Sequence, residues 1–176
     1  MHPEKRLKDL DISLPEPPEP IGIYKPFLLI GDHIYLSGHG PYLGDGTFIL
    51  GRVGDDMNKE EARMAARQTA LAMLSTLKTN LGNLDRVDRV IKIFGMVSCI
   101  PSFQEHPYVI NGCSQLFADL FGKEKGIGAR SAVGMGSLPD AMTLAKSVRG
   151  PRFSIRSIPR AGSQVALRPS VRRLVR

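Results

Sequence analysis

The chain has 176 residues, 42% of them hydrophobic, with two cysteines and no tryptophan. That length suits one domain with a real core, two cysteines exclude a disulfide framework, and no apolar run reaches the ~18 residues that span a bilayer. The formal net charge of +7 is unevenly spread: residues 145–176 hold eight Arg and Lys146 without one Asp or Glu, so residues 1–144 keep 15 basic against 17 acidic side chains. The basic character therefore belongs to a tail and not to a patch on the domain. Such tails read as solvated and disordered, with a nucleic-acid contact as the lesser reading and no membrane contact. No apolar segment follows Met1–Arg6, so no secretory signal is expected, and a reducing, cytoplasmic location fits.

Residues 1–20 end in Leu14-Pro15-Glu16-Pro17-Pro18-Glu19-Pro20. Prolines lack N–H donors and favour an extended chain, so this segment reads as an arm. Strand-like runs follow at Lys25–Ile30 and His33–Ser37, joined by Gly31-Asp32. Asp45-Gly46, between Tyr42-Leu43 and Thr47–Leu50, has the chemistry of a type I′ hairpin turn. Asn58 then suits a helix N-cap, with Glu61 three residues later completing a capping box. Ala66, Ala70, Met73, Leu74, Leu77 and Leu81 recur at helical spacing, and Gly82 sits where a C-terminal cap belongs. Val87–Cys99 is β-rich, with Ile91, Ile93, Val97 and Cys99 on one face and Val90, Phe94 and Met96 on the other. Two apolar faces predict helices against one and an interior or a partner subunit against the other. A second helix is expected over about Pro107–Phe121, with Val109, Cys113, Leu116, Phe117 and Leu120 in one stripe, then a strand over Arg130–Leu138. This order implies an α/β (α+β) domain, a mixed β-sheet with two helices on one face.

Several residues in this frame resemble a known family. Tyr24 in Ile21-Gly22-Ile23-Tyr24 is followed thirteen positions later by Ser37 in Tyr35-Leu36-Ser37-Gly38. Asn111 on the second helix, Arg130 in Ala129-Arg130-Ser131-Ala132-Val133, and Leu138-Pro139 come after them. Together, from about Ile21 to Met142, they resemble the reactive-intermediate deaminases (RidA or YjgF, also labelled endoribonuclease L-PSP). The resemblance implies a chorismate-mutase-like fold and a homotrimer with clefts between subunits, working without cofactor or metal. It implies that Arg130 holds the carboxylate of a 2-imino acid such as 2-iminobutanoate or 2-iminopropanoate. Arg130, Asn111 and Ser37 would bind the substrate. Arg130, Ser37 and Tyr24 would serve its hydrolysis to a 2-oxo acid.

The chain departs from the family at two places. His39 stands where the best-known members have Gln, and Ala145 stands where they carry the Glu that activates water; no carboxylate follows Asp140. The expected layout is therefore an arm (1–20), the family domain (21–144) and a basic tail (145–176), with deaminase activity impaired. The alternative is a non-catalytic member that binds a small metabolite, or RNA through the tail.

Other residues have plainer readings. Ser37 beside Gly38 also suits a strand-end hydroxyl bonded to local backbone. His39 reads as a turn residue between two glycines, His33 and His106 as surface residues, and Cys99 and Cys113 as buried small hydrophobes. Gly126-Ile127-Gly128 and Gly134-Met135-Gly136 lack the rest of a phosphate-binding loop, so no nucleotide site is assigned.

Overall fold

The computed structural model describes residues 2–139, 144–146 and 152–155. In chain order the elements are α1 (Pro3–Asp9), β1 (Phe27–Ile30), β2 (His33–Leu36), α2 (Lys59–Leu81), β3 (Val87–Ser98), α3 (His106–Phe121), α4 (Lys123–Gly126), β4 (Ala129–Met135), β5 (Leu144–Lys146) and β6 (Arg152–Ile155). The sheet runs β1-β2-β6-β3-β4, with β5 also pairing β3. Only β3 and β4 are parallel; every other pairing is antiparallel. This is the expected mixed sheet, and its helices lie on one face.

The long helix forms where its caps predict. The Asn58 side chain accepts from Glu61 N at 2.9 Å, and Asn58 N donates to Glu61 Oε2 at 2.9 Å, so both halves of the capping box are closed. Gly82 ends α2 at φ 76°, a left-handed conformation that glycine adopts without a Cβ clash. The stripe of α3 (Val109, Cys113, Leu116, Phe117, Leu120) is buried throughout. It packs on β3 where Gly95 leaves room, since a Cβ there would lie 2.4 Å from Cδ1 of Ile110. On its other side α3 meets α2 so closely that a Cβ at Gly112 would sit 2.0 Å from the Arg63 carbonyl oxygen.

The strand β3 departs from simple alternation. Irregularities between Val87 and Arg89 and between Val90 and Lys92 insert extra residues against β6. A bulge moves the following side chains to the opposite face. Val87 and Val90 therefore join Ile93 and Val97 in the core, while Ile91, expected beside Ile93, is only half-buried. The face turned away from the helices carries Lys92, Phe94 and Met96, paired with Ala129, Ser131 and Val133 of β4.

Three expectations need correction. First, residues 1–20 are not extended throughout, because Pro3–Asp9 form a helix. Proline presets the first-turn φ, Glu4 suits the N-terminal end and Lys8 the C-terminal one. Seven residues are too few for a helix to persist alone, and tertiary contacts hold this one. Glu4 accepts from Lys78 Nζ at 2.8 Å and Leu84 N at 2.9 Å, Arg6 Nε donates to the Asp119 carbonyl at 3.1 Å, and Leu7 is buried. Second, Asp45-Gly46 does not make a type I′ turn. That turn needs positive φ at both central residues, and here Gly44 (φ 102°) and Gly46 (φ 91°) have it while Asp45 does not. The loop closes with Leu43 N donating to the Thr47 carbonyl at 3.0 Å, and Asp45 accepts from Thr47 N at 3.0 Å.

Third, the segment after Leu144 is not all tail. Leu144–Lys146 pairs antiparallel with Val97, Met96 and Gly95 of β3, and Arg152–Ile155 fills the gap between β2 and β3. Phe153 decides this. It is wholly buried, edge-on to Phe117 with ring centroids 5.8 Å apart, and burying an aromatic ring outweighs the local density of Arg. Residues 147–151 and 156–176, on which the rest of the tail expectation falls, lie outside the described residues.

Two outcomes are expected. Phe153→Ala should cost about 3–5 kcal/mol by creating a cavity in the core, and an unchanged thermal midpoint would detach β6 from the fold. Gly112→Ala should cost about 3 kcal/mol or more, because backbone and not a flexible side chain must give way at Arg63. Thermal melts of both variants against Gly136→Ala, where nothing lies within 4 Å of the added methyl and φ is not in the left-handed region, measure the difference.

Candidate functional site

The parallel pair β3–β4 is bridged by α3, which lies across it. This β–α–β arrangement sets Arg130, paired with Ile93 near the start of β4, beneath the middle of α3. Arg130 Nη1 donates to Asn111 Oδ1 at 2.7 Å and to Ser114 Oγ at 3.1 Å. Both acceptors hold the same nitrogen, which orients the guanidinium plane. Among the described residues, Nε and Nη2 of Arg130 have no partner. Arg130 is half-buried and Asn111 exposed, so the free edge of the fork is open to a ligand. A planar guanidinium edge with two parallel N–H groups matches a carboxylate.

Ser37 and Tyr24 form a second group. Ser37 Oγ donates to the Lys25 carbonyl at 2.7 Å, and Ser37 N donates to Pro26 O at 3.0 Å, so the hydroxyl closes the open end of the β1–β2 hairpin. The oxygen keeps capacity to accept. Tyr24 is 45% exposed, beside the exposed Ile21 and Ile23. The strands β2 and β4 are separated by β6 and β3. Three inter-strand steps amount to about 14 Å. The fold therefore brings Asn111 to Arg130 and Tyr24 into the neighbourhood of Ser37, but holds the two groups apart within one chain. Position 145 pairs with Met96 of β3 and is alanine, so it supplies no carboxylate.

Ser114 escaped the sequence reading, although it lies one turn beyond Asn111, and residues three apart on a helix share a face. His39 is not a turn residue. It is 4% exposed, with Nδ1 2.9 Å from the Ser37 carbonyl oxygen and Nε2 2.8 Å from Thr76 Oγ1. A ring nitrogen facing a carbonyl must carry the proton, so Nδ1 donates to Ser37 and the imidazole ties the exit of β2 to α2. His106 is likewise no surface residue: it is half-buried, edge-on to Phe103, with Nε2 3.4 Å from Cys99 Sγ. His33, exposed beside Asp32, keeps its surface reading.

Among the described residues no three or more His, Cys, Asp or Glu side chains are grouped to hold a metal ion, and no helix is long and apolar enough to cross a membrane. A cleft of about 540 Å³ opens between α1, the following arm and α2, lined by Glu4, Leu7, Lys8, Ser75 and Lys78 among others. It shares no residue with the Arg130 group.

Comparison with known proteins agrees with this architecture. Residues 4–141 match the family described as "YjgF/chorismate_mutase-like, putative endoribonuclease". A protein of Trypanosoma cruzi named TCP17 is 39% identical over 133 residues, which are 76% of this chain and 83% of that protein. The crystal structure of Atu1372 from Agrobacterium tumefaciens, a protein of unknown function, superposes with a TM-score of 0.77 at 36% identity, covering 88% of this chain and 94% of that one. A Shewanella oneidensis structure with the same endoribonuclease label reaches 0.80 at 28% identity, covering 88% of this chain and all of its own. With the mixed sheet, its one-sided helices and the matched span of residues 4–141, the chain belongs to the RidA/YjgF family of chorismate-mutase-like fold.

Proposed function

We propose that the chain is a cytoplasmic imine deaminase acting on small 2-imino acids of the 2-iminobutanoate and 2-iminopropanoate type, in sites shared between the subunits of a homotrimer. The observation that carries this reading is the half-buried guanidinium of Arg130, held at Nη1 by Asn111 and Ser114 with its other edge unpartnered among the described residues. That edge receives the substrate carboxylate and fixes the adjacent C=N group. Water adds to the imine carbon, giving a carbinolamine; the nitrogen takes up a proton and leaves as ammonia, and the 2-oxo acid remains. Imines hydrolyse readily, so positioning supplies much of what is needed.

Ser37 and Tyr24 lie about 14 Å from Arg130 by strand count, too far to meet a two- to four-carbon acid that Arg130 holds. A neighbouring copy that presents its Ser37 and Tyr24 to this Arg130 resolves the distance. The exposed Ile21, Ile23 and Tyr24, together with Leu28, Leu29 and Ile30 of the edge strand β1, offer apolar surface for such an association. The absence of a carboxylate at position 145 favours slow turnover, and a member that binds its metabolite without hydrolysing it is the second reading.

Calorimetric titration with 2-oxobutanoate tests the site. Arg130→Ala should weaken binding at least tenfold, since losing a charge-assisted contact costs ~1.5–3 kcal/mol; equal affinity in the variant removes Arg130 from the site. Shared sites predict complementation: Arg130→Ala and Ser37→Ala chains, each defective alone, should recover part of the activity when refolded together, whereas subunits with self-contained sites recover none. For the missing base, Ala145→Glu should raise imine hydrolysis about 10²-fold. Binding without hydrolysis in both the native chain and this variant would leave only the metabolite-binding reading.

A further inference from the structure

A second cluster of reactive groups lies at the N-terminal end of α3, where β3 and β4 end. Cys99 follows β3, and its Sγ is 3.4 Å from Nε2 of His106, the first residue of α3. Arg52 comes from the loop before α2. The next residue, Val53, bridges Cys99, with Val53 N donating to the Ser98 carbonyl at 2.9 Å. The Nε of Arg52 is buried and has no hydrogen-bond partner among the described residues. Thiol and imidazole thus meet at one point, and the Arg52 charge is near enough to act on the sulfur.

Gly134 of β4 opens this point to solvent. It is exposed, and a Cβ on it would lie 2.4 Å from His106 Nε2 and 2.8 Å from Cys99 Sγ. Any other residue would cover both atoms or displace them. Cys99 itself is only 5% exposed, so the opening suits a reagent of a few atoms.

We propose that Cys99 and His106 form an oxidisable thiol–imidazole pair that reacts with a small hydroperoxide entering past Gly134, a role separate from the Arg130 site. Burial pushes the Cys99 thiol up, against the lowering effects of a Met135 backbone contact and of the Arg52 charge, so the resting sulfur keeps its proton. A protonated nucleophile needs a base in hydrogen-bond reach, and His106 supplies it. The thiol proton passes to Nε2 as sulfur attacks one peroxide oxygen and the O–O bond breaks. The departing oxyanion, hydroxide from hydrogen peroxide or alkoxide from an organic hydroperoxide, takes the proton from His106 and leaves as water or an alcohol. Sulfur is oxidised by two electrons to a sulfenic acid and the peroxide is reduced. Arg52 stabilises the negative charge that develops on sulfur in between.

The chain contains its own control, because Cys113, on the buried stripe of α3, is 0% exposed and meets a reagent only when the core opens. The native full-length chain is treated with hydrogen peroxide, trapped with dimedone and mapped by peptide mass spectrometry. Cys99 should gain the adduct at least tenfold faster than Cys113. His106→Gln should slow Cys99 at least tenfold and leave Cys113 unchanged. Equal rates at the two cysteines of the native chain would mean oxidation by global unfolding and would overturn the proposal, even if the variant does not fold. A folded His106→Gln chain that reacts at the native rate would overturn it as well.

Discussion

The close seat of α3 between β3 and α2 is the constraint on which the other elements depend. Two glycines permit it, Gly95 beneath Ile110 and Gly112 against the Arg63 backbone. With α3 held there, its buried stripe closes the core against Ile93, Val97 and Phe153, while its outer edge hangs over β4. The Arg130–Asn111–Ser114 group beneath the middle of the helix and the Cys99–His106 pair at its N-terminal end are both consequences of that seat. Neither would survive a shift of α3 by one side-chain diameter. Interiors packed to crystal-like density transmit such a shift and do not absorb it.

Polar groups in the interior extend the same frame. His39 spans from the Ser37 carbonyl to Thr76 and binds the sheet to α2 at a point where no apolar contact could fix direction. Hydrogen bonds are directional, so a satisfied buried imidazole specifies one arrangement where alkyl contacts would tolerate several. Glu4 does similar work at the opposite end. Its carboxylate accepts from Lys78 and from the Leu84 amide, which docks a seven-residue helix that would not persist alone. The arm beyond it is tied to α2 in turn, where Ser75 donates to the Pro15 carbonyl.

The sheet is finished unevenly. One face is covered by helices; the other presents Lys92, Phe94 and Met96 half-buried, and the edge strand β1 exposes Leu28, Leu29 and Ile30. Natural edges are usually protected by charge, bulges or a covering element, and an apolar edge left open costs solubility. This unevenness and the separation of Ser37 from Arg130 have a common remedy in a second copy of the chain, which is why the proposed site is a shared one.

What the sequence determined by itself was carried by strong local chemistry. The capping box at Asn58 and Glu61, the glycine after Leu81, the apolar stripes of α2 and α3 and the pairing of short strands across Gly31-Asp32 are signals within a few residues, and the structure has each of them. Tyr24, Ser37, Asn111 and Arg130 were legible as candidates through their order and spacing together, which resemble the family's. Only the tertiary structure decided the rest. The segment Pro3–Asp9 is helical because distant Lys78, Leu84 and Asp119 hold it, and Arg152–Ile155 is a strand because Phe153 fills a space that Phe117, far away in sequence, leaves for it. The bulges of β3 exchanged Val90 for Ile91 in the core, which no alternation rule reveals. Likewise Ser114 joins Arg130, and His106 joins Cys99, only through the docking of α3 on β4 and β3. Long-range contacts override local propensity here because burying one ring or one carboxylate with its partners is worth several residues of conformational preference, and nothing in the neighbouring sequence records which distant surface will do the burying.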